Sequence, residues 1–92
     1  MKYSIKLTAT AQKHLMEFRS SGQKKDLKKI FSLFQELEEH PTTGTGKVEQ
    51  LKGNLSGYWS RRINKQSRMI YSIVDKTVTV EVISLKGHYA HY

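Results

Sequence analysis

Ninety-two residues suffice for one domain and leave no room for a second. Sixteen Lys and Arg against eight Asp and Glu give a net charge of +8, spread over both halves, so the chain attracts polyanions: nucleic acid, an acidic protein partner or an anionic membrane surface. The absence of cysteine excludes disulfides, thiolate metal sites and cysteine nucleophiles together. No apolar run approaches spanning length, and neither helical stretch sets a basic face opposite a broad apolar one. A membrane is therefore the least favoured of the three partners. The first fifteen residues lack an uninterrupted apolar core and a small-residue cleavage site, so the expected compartment is the cytoplasm.

Lys2 to Leu7 alternates, with Tyr3, Ile5 and Leu7 on one side, which is the period of a half-buried strand. Thr8 or Thr10 is placed to cap a following helix, in which Ala11, Leu15 and Phe18 recur at helical spacing until Ser20, Ser21 and Gly22 end it. A second helix is predicted from Lys24 to Glu39. Its apolar stripe is Leu27, Ile30, Phe31, Phe34 and Leu37, with Lys25, Lys28, Lys29, Gln35 and Glu36 solvated. Basic residues lead and acidic ones close this helix, against its dipole, so its stability must come from packing the stripe onto a sheet. His40-Pro41 stops it, and a loop runs to Gly46.

Glu49 to Lys52 reads as a brief strand and Gly53 to Gly57 as a turn. Tyr58 to Ile63 and Met69 to Val74 alternate around Asn64 to Ser67 as a hairpin does. After a turn at Asp75-Lys76, the β-branched run Thr77 to Leu85 is predicted as a central strand. Val78, Val80, Val82 and Ser84 share one of its faces, and Thr79, Glu81, Ile83 and Leu85 the other. Helices segregated from strands make an α+β fold: two N-terminal helices packed on one face of a twisted, mainly antiparallel sheet, with residues 1–92 as a single domain.

Gly44-Thr45-Gly46-Lys47 superficially suggests a phosphate loop, but Pro41 stands where that motif needs a glycine and Val48 where it needs a hydroxyl. His88 and His91 are three apart, yet no carboxylate lies among the last ten residues, so neither a metal site nor a cofactor is expected. His14 and His40 read as surface residues. Trp59 reads as core, sharing a strand face with Arg61 and Ile63, while Tyr58, Ser60 and Arg62 share the other. Arg61 and Arg62 have two readings of equal weight: ion pairs with Glu36, Glu38, Glu39 or Glu81, or contacts to phosphate.

Gly46 to Arg68 concentrates the chemistry, with Glu49 as its one carboxylate among Lys47, Lys52, Arg61, Arg62, Lys65 and Arg68. Such an acid serves either as an ion-pair partner or as a base beside a bound polyanion. Glu49, Arg68, His88 and Tyr89 fall at or near the ends of three strand segments, so a sheet can bring them to one face. Cleavage of RNA by its own 2′-hydroxyl needs a base, a cation for the charge building on phosphorus and an acid for the departing 5′-oxygen. A carboxylate, an arginine and a histidine suit those tasks, and a tyrosine suits stacking or alignment.

The run Gly46-Lys47-Val48-Glu49-Gln50-Leu51-Lys52-Gly53-Asn54-Leu55-Ser56-Gly57-Tyr58-Trp59-Ser60-Arg61-Arg62-Ile63-Asn64 closely resembles the signature of the YoeB/Txe toxins of the RelE/ParE toxin–antitoxin superfamily. The likeness continues through Arg68-Met69-Ile70-Tyr71 and Lys86-Gly87-His88-Tyr89. The resemblance implies a ribosome-dependent mRNA interferase that cuts the codon in the A site. It further implies an antitoxin of the YefM type that silences the toxin, and operator DNA as a target of the toxin–antitoxin complex. A homodimer is the other assembly considered. By motif position Glu49 is the general base, Arg68 the arginine that stabilises the transition state, and His88 and Tyr89 the general acid and positioning ring. Lys47, Lys52, Arg61 and Arg62 are the candidate contacts to RNA. Val48 and Gln50 replace prolines common in the family, and Gln66-Ser67 replaces the usual Glu-His. Ala90-His91-Tyr92 extends the usual His-Tyr ending, which makes His91 and Tyr92 the alternative pair. The rivals to a nuclease are a non-catalytic toxin like the ParE gyrase inhibitors and a plain basic nucleic-acid-binding module.

Overall fold

A computed structural model describes residues 2–87; the candidates His88, Tyr89, His91 and Tyr92 lie outside the described residues. The elements follow in the order β1 (Ser4–Leu7), α1 (Ala9–Ser20), α2 (Lys24–Glu39), β2 (Glu49–Gln50), β3 (Tyr58–Arg62), β4 (Arg68–Val74) and β5 (Thr79–Gly87). The five strands form one sheet in the order β1-β5-β4-β3-β2, parallel between β1 and β5 and antiparallel elsewhere. The predicted α+β layout, two helices on one face of a mainly antiparallel sheet, is what the chain adopts.

Thr8 starts α1. Its Oγ1 accepts the amide of Ala11 at 3.1 Å while its hydroxyl donates to the carbonyl of Ile83 at 2.8 Å, so one side chain caps the helix and fastens it to β5. Ala11 and Phe18 are fully or almost fully buried beneath α1. His14 is not the surface residue expected. It is half-buried, and its Nδ1 accepts the amide of Leu85 at 3.2 Å and lies 3.4 Å from Ser84 Oγ. Burial pushes its imidazole pKa down, the carboxylate of Glu17 opposes this, and Lys86 and Lys13 add to it.

α2 spans the predicted residues, but its buried stripe is Ile30, Leu33 and Leu37, flanked by Leu27 and Phe34. Phe31, assigned to the stripe from the sequence, is 45% exposed and meets Phe34 edge-on, with centroids 5.9 Å apart. The reason is angular: Leu33 fits between Ile30 and Leu37 on the 3–4 spacing, which leaves Phe31 at the margin.

The β3–β4 hairpin forms as predicted. Asn64 closes its turn by accepting the amides of Gln66 at 2.8 Å and Ser67 at 2.7 Å, and its own amide group donates to Asp26 of α2 at 3.0 Å. β5 starts later than predicted, because Asp75–Thr77 is a turn of 3-10 helix and Val78 follows it in the left-handed region with φ 49°. Irregularities in pairing with β4 also break the expected alternation: Tyr71 faces Val82, Ile70 faces Ser84 and Arg68 faces Gly87. Extra residues on β5 shift its phase, so Val80, Val82 and Leu85 all join the core, whereas simple alternation separated Leu85 from the valines. Among the described residues, no helix is long and apolar enough to cross a membrane.

This packing sets a test of the α2 stripe. Leu33→Ala should cost about 2–5 kcal/mol of unfolding free energy and Phe31→Ala less than about 1 kcal/mol, read from urea denaturation midpoints.

Candidate active site

The two faces of the sheet have different work. Ile63, Met69 and Tyr71 belong to the core under the helices, so alternation sends Ser60, Arg62, Arg68 and Ile70 to the opposite face. Glu49 stands directly across from Ser60 on the antiparallel β2–β3 pair and therefore shares that face. Arg62, at the end of β3, stands across from Arg68 at the start of β4, and Arg68 stands across from Gly87 at the end of β5. Glu49, Arg62 and Arg68 are half-buried, while Lys47 and Lys52 are exposed on either side of β2.

Two interstrand steps and a two-residue offset separate the backbones of Glu49 and Arg68 by about 12 Å, a gap that their extended side chains can close around one phosphate and its ribose. Gly87 completes the arrangement by passing close to β4. A methyl group there would fall 2.6 Å from Ile70 Cγ1 and 3.3 Å from the carbonyl of Arg68, so Gly87 itself lies tight against β4 beside the arginine. A hollow of about 460 Å³ between Tyr3 and Trp59, with Glu39 and Asp75 among its walls, lies at the other end of the strands.

Arg61 corrects the sequence-based expectation. Of its two readings the RNA contact fails, because Arg61 is 0% exposed and lies on the helix side of β3. All five of its N–H bonds have acceptors: Nη1 donates to Glu36 Oε1 at 3.0 Å and the carbonyl of Thr45 at 3.3 Å, Nη2 to the carbonyls of His40 at 2.6 Å and Thr43 at 2.7 Å, and Nε to the hydroxyl of Tyr71 at 3.1 Å. The Tyr71 hydroxyl in turn donates to the carbonyl of Pro41 at 2.8 Å. The ion-pair reading with Glu36 is the one realised, and it is buried on the arginine's side instead of lying on the surface.

This cluster holds the loop that delivers Glu49. The amide and hydroxyl of Thr45 both bond Glu36, and the carbonyl of Gly46 accepts the amide of Arg62. Gly44, at φ 125°, permits the approach, since a methyl there would fall 2.1 Å from Glu36 Oε1. Burial raises the Glu36 carboxyl pKa, but the Thr45 hydroxyl and amide and the Arg61 charge together outweigh it. The carboxyl therefore titrates below its ordinary value of 4.5. Burial also pushes the Tyr71 hydroxyl up, against the pull of Arg61.

Of the sequence-derived candidates, the sheet thus gathers Glu49, Arg62 and Arg68 on one face, sets Lys47 and Lys52 beside them, and withdraws Arg61. Sequence reasoning names Glu36 only as one of four possible ion-pair partners and gives Ser60 no role. Ser60 is fully buried between Glu49 and Ile70 in the strand register.

Residues 8–89 match the family model described as a YoeB-like toxin of bacterial type II toxin–antitoxin systems. A curated relative, Toxin YoeB of Synechocystis, is 48% identical over 68 residues, covering 74% of this chain and 77% of its own. The structure of a YoeB dimer from Staphylococcus aureus superposes with a TM-score of 0.84 at 34% identity, over 97% of this chain and all of that one. The heterotetrameric YoeB–YefM toxin–antitoxin complex from the same organism gives a TM-score of 0.81 at the same identity and coverage.

Two measurements check the buried cluster. Arg61→Met should destabilise the fold by about 3–5 kcal/mol, because it leaves Glu36 and the loop carbonyls without their donors. A carboxyl with a depressed folded pKa adds stability above its unfolded pKa and loses it as pH falls through the folded one. Wild-type stability should therefore drop below pH 4.5 more steeply than that of Glu36→Gln, as read by urea midpoints across the acid range.

Proposed function

The chain belongs to the YoeB-like toxins of bacterial type II toxin–antitoxin systems, and from that premise we propose that it is a ribosome-dependent endoribonuclease that cuts mRNA at the A-site codon. The observation that carries this reading is the strand register, which puts an acid, Glu49, and two arginines, Arg62 and Arg68, on the sheet face away from the helices, with Gly87 delivering the chain beside Arg68.

In this reading Glu49 removes the proton of the ribose 2′-hydroxyl, which attacks the adjacent phosphorus. Arg68 balances the charge that gathers on the phosphorane oxygens, with Arg62 as a second cation in reach and Lys47 and Lys52 gripping flanking phosphates. The leaving 5′-oxygen needs a proton, and His88, the residue after Gly87, is assigned to supply it, with Tyr89 holding the nucleotide in line. His91 and Tyr92 are the alternative pair. These steps are proton transfers and charge balancing, all within the chemistry of those side chains.

The partners follow. The +8 charge draws the protein to ribosomal RNA and its message in the cytoplasm. A YefM-like antitoxin, as in the Staphylococcus complex, neutralises it, and the pair binds operator DNA. A homodimer of the kind seen for the Staphylococcus toxin is the state of the free protein.

Ribosomes programmed with a message carrying deoxyribose at the target nucleotide should give no cut by primer extension, and Glu49→Gln should slow cutting of the normal message about 10²–10⁴-fold. Persistent cleavage of the deoxy message removes the attacking group and the mechanism with it. Growth inhibition that survives both Glu49→Gln and His88→Gln would instead indicate a non-catalytic toxin of the ParE kind.

A further inference from the structure

The face that holds Glu49 and Arg68 also contains a hydroxyl out of place. Ser60 is 0% exposed, and its Oγ has no hydrogen-bond partner. A polar group withdrawn from water without a partner carries a desolvation penalty that an alanine at the same place avoids, and such groups are few in folded proteins. The β3 backbone needs nothing from this side chain, since the ladder to β2 and β4 is made by main-chain groups. The fold alone therefore gives no reason for a serine here.

Position supplies one. Ser60 faces Glu49 on β2 and Ile70 on β4. Directly opposed residues of an antiparallel pair have Cβ atoms about 4.5–5.5 Å apart, and Glu49 Oε2 is itself buried in that interior. The charged groups around Glu49 are Arg62 on β3, Arg68 on β4, and Lys47 and Lys52 on its own segment. All four are donors only, so none can receive the serine proton. The neighbour across the ladder that can is the Glu49 carboxylate.

We propose that Ser60 is a positioning residue of the active site: when Glu49 turns onto the substrate, the Ser60 hydroxyl donates to Oε2 and leaves Oε1 aimed at the 2′-hydroxyl proton. This rests on the assignment of Glu49 as the base. The serine bears its desolvation penalty in the free protein and makes its hydrogen bond only with the carboxylate in its working orientation. Binding energy released by the substrate is thereby spent on aligning the base.

The test compares wild type, Ser60→Ala, Glu49→Gln and the double variant, each in single-turnover cleavage of a ribosome-bound message and in urea denaturation. Ser60→Ala should be at least as stable as wild type yet cut about tenfold more slowly at saturation, the value of a hydrogen bond to a charged group, with little change in the half-saturating concentration. In the Glu49→Gln background the same substitution should cost no further rate. Wild-type cutting by Ser60→Ala, an equal loss with and without Glu49, or a loss of stability alongside activity would each overturn the proposal. Cutting by Glu49→Gln at the wild-type rate would fail the base assignment itself and is read separately from the serine.

Discussion

A single guanidinium on the core side of β3 organises the segment between α2 and β2. Arg61 is charged and wholly buried, a state tolerated only when every donor finds an acceptor, and its acceptors are one carboxylate, one phenol and three loop carbonyls. Because the carbonyls of His40, Thr43 and Thr45 all come from the segment after α2, the arginine turns an irregular stretch into a fixed one. An apolar side chain of similar volume would fill the space but leave those carbonyls unsatisfied.

The consequence reaches across the sheet. β2 is two residues long and sits at an edge, too short to hold its own register by ladder bonds alone. Its placement comes from the loop before it, from Gly46 bonded to Arg62, and from Leu51 bonded to Tyr58 at 2.9 Å. Glu49 thus owes its position to contacts on the helix side of the sheet while its side chain belongs to the other side. The neighbours Arg61 and Arg62 divide the labour, one fastening the loop and the other facing the site.

Much of this was legible in the sequence. The alternation of Tyr3, Ile5 and Leu7, the helix ending at Pro41 and the hairpin around Asn64 all have local causes and formed where expected. What escaped had non-local causes. The phase change in β5 depends on pairing with β4, and no propensity of Ser84 or Leu85 announces it. Leu33 and Phe31 differ in burial through where α2 meets the sheet. Arg61 is the instructive case, because the alternation that puts Trp59 in the core puts Arg61 on the same face and favours its ion-pair reading over the RNA one. Basic composition suggested an RNA contact where period two indicated the interior. For the site, the register joins Glu49 to Arg68 through Ser60, Arg62 and Ile70, a row that composition alone does not reveal.

The parallel pairing of Ser4 with Thr79 and of Leu7 with Val82 bears on the birth of the protein. β1 has no other neighbour in the sheet, and β5 is also the floor under α1 and the partner of β4. A nascent chain halted before residue 79 therefore has an orphan strand, an α1 without its floor and a hairpin lacking its inner companion. Folding waits for nearly the whole described chain to emerge, and parallel pairing over so long a loop is slow to close. A chain cut short before β5 thus lacks the strand that joins β1 to the rest of the sheet.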